Sequence, residues 1–303
     1  MNEKTKEIMS DCTLCPRNCH ADRLSGNIGY CGQTAEIRAA RAALHMWEEP
    51  CISAEDGSGT VFFSGCSVRC VFCQNHDLAV GQHGKIITGE RLSGIYLELQ
   101  EKGANNINLV TPTHYMPQII ESIENARKMG LTLPIVYNTS GYEKAETLRM
   151  LDGIVDVYLP DFKYMSADLA EKYSNAPDYA DCAKSALAEM VRQAGKPVFD
   201  DRGVIQKGVI VRHLILPNCT EDSKRVVKYL YETYGDDIFI SIMNQFTPLD
   251  HIADYPELQR KITQAEYDEV VDYAVDLGVE NGFIQEGETA DESFIPSFDY
   301  EGI

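Results

Sequence analysis

The sequence predicts an α/β chain whose parallel sheet curls into a partial (βα)6 barrel, preceded by a small Cys-rich N-terminal appendage. Two observations predict it. From residue 59 onward, short β-rich runs alternate with longer amphipathic stretches, and parallel neighbours need crossover connections of that kind. Polar and thiol residues directly follow each β-rich run, as expected where a parallel architecture gathers its reactive groups at the carboxyl ends of its strands.

Taken in order, the strands are expected at 59–64, 106–110, 135–137, 155–159, 208–214 and 239–243. Helical periodicity falls at 90–102, 117–129, 143–151, 179–193, 223–234 and 264–277,. Residues 1–58 fit this alternation poorly and form the expected appendage: a Cys-rich stretch at 12–31 precedes an Ala-rich run at 37–47 in which helix and strand both remain open. The barrel is expected over 59–285, with 195–208 a polar loop, and 286–303 reads as a loosely docked tail,.

Composition narrows the function classes. The formal net charge of -20 leaves no basic footprint for nucleic acid or anionic lipid,, and the acidity reads as a source of solubility. The opening MNEKTKEIMS has no apolar signal core and no later segment is long and apolar enough to span a bilayer, so a cytoplasmic protein is expected. Of ten cysteines, eight lie within the first 73 residues at short spacings, which favours metal chemistry over a disulfide scaffold.

The sharpest motif is SGCSVRCVFCQN, with Cys66-x3-Cys70-x2-Cys73 directly after the apolar run GTVFFS. Three thiolates at this spacing can hold three irons of a 4Fe-4S cubane and leave the fourth without a protein ligand. An open iron can bind a small molecule, whereas zinc sites normally supply four ligands in paired spacings. The run resembles the signature of the radical S-adenosylmethionine (SAM) superfamily, including Phe72 before the last cysteine. The runs HMWEEP, GSGTVFFSGC, GANNINLVTPTHY, PIVYNTSGY, LDGIVDVYLPDFKY and VRHLILPN further resemble PflX-type proteins, relatives of pyruvate formate-lyase activating enzymes.

That resemblance implies reductive cleavage of SAM to methionine and a 5'-deoxyadenosyl radical, which removes a hydrogen atom from substrate. The donor would be a glycine in a partner glycyl-radical enzyme, a peptide or a small molecule. A small substrate would need a covered cavity, for which 293–303 is a candidate lid. A flavodoxin or ferredoxin would serve as reductant. The resemblance also implies that Lys163 of DFK approaches the SAM carboxylate, and that Asp161 shares a monovalent cation with Asn138 and Thr139. Asn75, Thr111, His114 and Arg212 complete the expected SAM-binding set, with Thr111 and Thr113 standing where many relatives carry a Gly-Gly-Glu run.

Cys12-x2-Cys15-x3-Cys19 and Cys31 form a second set in a region too short for a substantial core. A metal would supply the missing folding energy, and the spacing fits either zinc or an auxiliary 4Fe-4S cluster. Cys51, Cys182 and Cys219 read as packing residues; His45, His76 and His213 read as structural. The rival to catalysis is an iron-sulfur or zinc protein that carries electrons, senses redox state or binds partners. It accounts for both cysteine sets but not for the polar residues after six strands.

Overall fold

The computed structural model describes residues 1–81, 83–249, 252–285 and 298–303. Helix α1 (Glu3–Ser10) opens the chain, its N-terminus capped by the Asn2 side chain,. The Ala-rich run then forms a strand, β1 (Ile37–His45). Alanine favours helices, but Ala39, Ala40 and Ala42 are buried in the sheet, and tertiary burial overrides propensity.

Next come α2 (Pro50–Ser53), the fully buried β2 (Ser58–Phe63), α3 (His76–Ala79) and β3 (Lys85–Ile87). The chain continues through α4 (Gly89–Glu101), β4 (Ile107–Val110), α5 (Met116–Lys128), β5 (Ile135–Thr139), α6 (Ala145–Leu148) and β6 (Val157–Pro160). It finishes with α7 (Ala167–Ser174), α8 (Tyr179–Ala194), β7 (Val198–Phe199), β8 (Ile205–Leu214), α9 (Thr220–Tyr234), β9 (Phe239–Met243), α10 (Gln264–Leu277) and β10 (Gly282–Ile284). All the expected strands and helices are present. The expected loop at 195–208 instead holds β7, which pairs antiparallel with the start of β8.

β2, β4, β5, β6, β8, β9 and β10 run parallel as successive neighbours. β1 and β3 extend the β2 edge antiparallel. The sheet path runs from β10 to β3 without closing on itself, so the fold is a partial α/β barrel. Residues 37–45 of the expected appendage therefore belong to the main sheet.

One continuous core joins strand residues Ile107, Ile135, Tyr158 and Val209 to helix residues Leu92, Ile123, Leu187 and Met190. This buried apolar surface holds the helices against the sheet. Helix starts are fixed locally, by Thr88 on α4, Ser166 on α7 and a capping box of Thr263 and Glu266 on α10,.

The end of the chain is docked more firmly than expected. Tyr300 N donates to Ala40 O at 3.1 Å and Ala42 N to Glu301 O at 2.8 Å, while Phe298 packs on Phe62 with ring centroids 5.5 Å apart. The rest of the expected lid, 293–297, lies outside the described residues.

Candidate functional site at the strand ends

Because parallel strands share a direction, the loops after β2, β4, β5, β6, β8 and β9 converge on one end of the sheet. The loop after β2 begins at Gly65, whose φ of +93° favours glycine,. A Cβ there would also lie 2.8 Å from Cys31 O and 3.0 Å from His114 Nε2. The turn then delivers Cys66, Cys70 and Cys73, tightened by Cys73 N donating to Cys70 O at 3.1 Å. Phe72 is buried and meets Tyr164, Tyr173 and Phe246 edge-on, each at 6.4 Å. These rings fix the loop as an apolar plug.

Burial pushes the Cys73 thiol up to about 12 and raises Cys70 as well; the neighbouring cysteines act on both, and Lys163 opposes the rise. Ser174 Oγ donates to Cys70 Sγ at 3.0 Å, and Val68 N donates to Cys66 Sγ at 3.4 Å. Among the described residues, no three Cys, His, Asp or Glu side chains are gathered as donors around one ion. A cubane offers a separate iron to each thiolate, so its ligands need not converge on one point. Three mutually interacting thiols on one loop, with a lysine beside them, are a donor set that fits it. Assembly would have to strip protons from them.

Beyond the thiols lies a largely half-buried charged cluster. Lys163 Nζ donates to Asp161 Oδ2 at 2.7 Å, and Arg212 Nε donates to Asp161 Oδ1 at 3.1 Å. The same guanidinium reaches Asn138 Oδ1 at 2.7 Å and Glu48 Oε2 at 3.1 Å. Glu48 Oε1 accepts from Asn108 Nδ2 at 3.0 Å and from Asn138 Nδ2 at 3.3 Å. Burial alone would raise Asp161, but Lys163 and Arg212 outweigh it and hold the carboxyl below its ordinary value. Burial raises both Glu48 and Glu49, with Arg212 opposing. Such groups tolerate burial only as a set.

Cys70, Phe72, Cys73, Asn75, Asn138, Asp161, Lys163 and Arg212 all line one cavity of about 380 Å³, and Cys66 packs against the adjoining core. Three expected site residues lie elsewhere. Thr139 donates to Glu143, on the opposite side of β5 from Asn138, because successive strand side chains alternate faces. The guanidinium of Arg212 rests on Asp161 and Asn138, the other donors expected to share a cation. His114 is buried, with Nε2 against Ser64 O at 2.7 Å, and burial lowers it to about 3, so it is a neutral buttress of the cysteine loop. Thr111 adopts a φ of +58° and its N donates to Asn138 O; it is not among the cavity-lining residues.

The second cysteine set folds back on itself. Cys12 N donates to Ala21 O and His20 N to Cys12 O, both at 3.1 Å. A Cβ at Gly29 would lie 2.9 Å from Cys19 Sγ and 3.8 Å from Cys31 Sγ, so these thiols crowd one face of a residue that must be small. Cys12 and Cys15 also act electrostatically on Cys31 or are acted on by it. Arg17, between Cys15 and Cys19, braces the other loop: Nε donates to Ser67 O at 2.8 Å and Nη2 to Ser174 O at 3.0 Å.

Sequence reasoning missed Trp47, Glu48 and Glu49, which reach the site from the segment after β1. Two adjacent carboxylates followed by proline, directly after an apolar run, were the available signal. It also passed over Glu143, whose Oε1 accepts from Thr113 Oγ1 at 2.5 Å and which burial raises to about 7.

No protein-family model matches the chain. An uncharacterised protein of Methanocaldococcus jannaschii is 27% identical over 284 residues, covering 90% of this chain and 76% of its own. Among solved structures, HydG, a maturase of FeFe-hydrogenase, aligns with a TM-score of 0.52 at 13% identity, over 78% of this chain and 54% of HydG. SuiB of Streptococcus suis, bound to SAM, aligns with a TM-score of 0.46 at 15% identity, over 73% of this chain and 45% of SuiB. This chain thus spans about half the length of either structure. Its fold is similar to that of HydG over the aligned region. Among the described residues, no helix is long and apolar enough to cross a membrane.

Proposed function

We propose that this chain is a radical SAM enzyme whose Cys66, Cys70 and Cys73 hold a 4Fe-4S cluster and whose strand-end cavity seats SAM. The observation that carries the reading is the meeting, in one cavity, of the Cys66–Cys73 loop with the Asp161–Lys163 pair. The sequence resemblance and the fold shared with HydG support it. When bound and reduced, the cluster would supply the electron that breaks a SAM carbon-sulfur bond, yielding the radical that takes hydrogen from substrate.

The protein's own residues would hold and shield the reactants. Lys163 is half-buried, and Asp161 keeps it protonated by holding its pKa above the ordinary value against the desolvation that would lower it. A carboxylate entering the cavity can accept from that ammonium. Arg212, held by Glu48, Asp161 and Asn138, fixes Asp161 from behind. Phe72 and its ring of aromatics exclude water beside the cysteines. A flavodoxin- or ferredoxin-class protein would deliver the electron.

Cys12, Cys15, Cys19 and Cys31 would hold a separate metal centre, supported by the approach of Cys19 and Cys31 to Gly29 and by a small local cluster of Met9, Cys12, Leu14 and Ala35 among the described residues.

The test is anaerobic cluster reconstitution followed by reduction with SAM present and chromatography for 5'-deoxyadenosine. The reading predicts its formation. A loaded, reducible cluster that forms none contradicts the reading.

A further inference from the structure

A second chamber of about 390 Å³ opens beside the first and shares Trp47, Glu48, Arg212, Met243, Gln245 and Gln285 with it. It lies between the segment after β1 and the strands β9 and β10, at the β10 edge of the open sheet. Its remaining wall combines Glu49 and Ser241 with the apolar surfaces of Pro50 and Phe283.

Two observations define what this chamber takes. Glu49 is 8% exposed, and its Oε2 has no hydrogen-bond partner among the described residues. Every oxygen of Glu48 and Asp161, by contrast, accepts at least one donor. The cluster is also unbalanced: Glu48, Glu49 and Asp161 set three carboxylates against Lys163 and Arg212 alone. A buried carboxylate needs both a donor and a countercharge, and a protonated amine supplies the two together. Burial raises Glu49, and Arg212 opposes the rise.

We propose that the chamber beside Glu49 and Trp47 binds the alkylammonium end of the substrate, with its N–H groups on Glu49 and its alkyl stem along Pro50 and Phe283. The catalytic meaning of the site rests on the radical reading; the binding itself does not. Because the chambers share one wall, a substrate anchored there would extend toward Cys70, Cys73 and Lys163. The indole of Trp47, 66% exposed at the shared rim, adds a cation-binding face.

Trp47 is the only tryptophan in the chain, so its emission reports occupancy directly. The full chain is titrated with butylammonium chloride, with 1-butanol and sodium butyrate as uncharged and anionic counterparts, in the absence and presence of SAM. The expected result is a saturable change with butylammonium alone, persisting with SAM and weakened by roughly tenfold or more in Glu49→Gln. Equal responses to butanol and butylammonium, or none to either, overturn the proposal; this comparison needs no variant. Displacement of butylammonium by SAM also overturns it, by giving the chamber to the SAM ammonium. Production of 5'-deoxyadenosine without an amine response sinks the amine site and leaves the radical reading intact. An amine response without 5'-deoxyadenosine does the reverse.

Discussion

The two cysteine loops have similar spacing and very different surroundings. The loop from Cys66 to Cys73 grows from a fully buried strand, is plugged by Phe72 and faces a cavity in which Lys163 stands beside the thiols. The loop from Cys12 to Cys31 packs on a cluster of four buried residues, leaves Cys19 exposed and does not line the cavity beside Lys163. Spacing predicts metal ligation in both, but the surroundings favour different proposed roles: a cavity and a half-buried cation suit chemistry, while two thiols against a small residue in a thin core suit a folding staple. Arg17 joins the two, so under the proposed roles the staple would also steady the reactive loop.

The comparison breaks most sharply under single substitutions. Cys66→Ala is expected to reduce 5'-deoxyadenosine to background while leaving thermal unfolding nearly unchanged. Comparable product from that variant would mean that the loops had been assigned the wrong roles. In the opposite sense, Cys12→Ala should lower stability by more than about 4 kcal/mol, the range associated with a lost metal or a disrupted core. Urea unfolding, with iron and zinc content measured in parallel, checks this. Unaltered stability would remove the staple.

A smaller effect lies at Glu143, which acts electrostatically on Cys15. Its folded pKa of about 7 is above its ordinary 4.5, so its neutral form is the one the fold favours. The associated stability is complete below about pH 4.5 and is lost as pH rises through 7, on the order of 3 kcal/mol. Glu143→Gln should flatten that slope in denaturation curves taken across the window. An unchanged slope would show that other groups carry it. Smallest of all, Arg41→Ala removes the ion pairs to Asp299 and Glu301 that help dock the chain end. The cost should stay under about 1 kcal/mol in the same assay, since exposed pairs are weak.

Much of the fold was legible because apolar runs and amphipathic periods are local. β1 stayed open because an Ala-rich run carries no clear period, and its pairing with β2 is a long-range fact. β7 and β10 are too short to carry a pattern. In the site, strand ends revealed the level of each residue but not its face. Asn138 and Thr139 are neighbours, yet one turns to Arg212 and the other to Glu143. Arg212 and His213 divide similarly, His213 bonding to Phe162 O at 2.7 Å. Glu48 and Glu49 were hidden for another reason: they follow the antiparallel strand β1 and reach the ends of the parallel strands only through the tertiary fold.

The central claim, that the Cys66, Cys70 and Cys73 cluster and SAM meet in the cavity beside Lys163, is tested most directly by electron paramagnetic resonance of the reduced, reconstituted protein with and without SAM. The account predicts that SAM alters the cluster signal in the unmodified chain, and that Lys163→Met requires more SAM for the same change. A loaded, reduced cluster whose signal is indifferent to saturating SAM would contradict it.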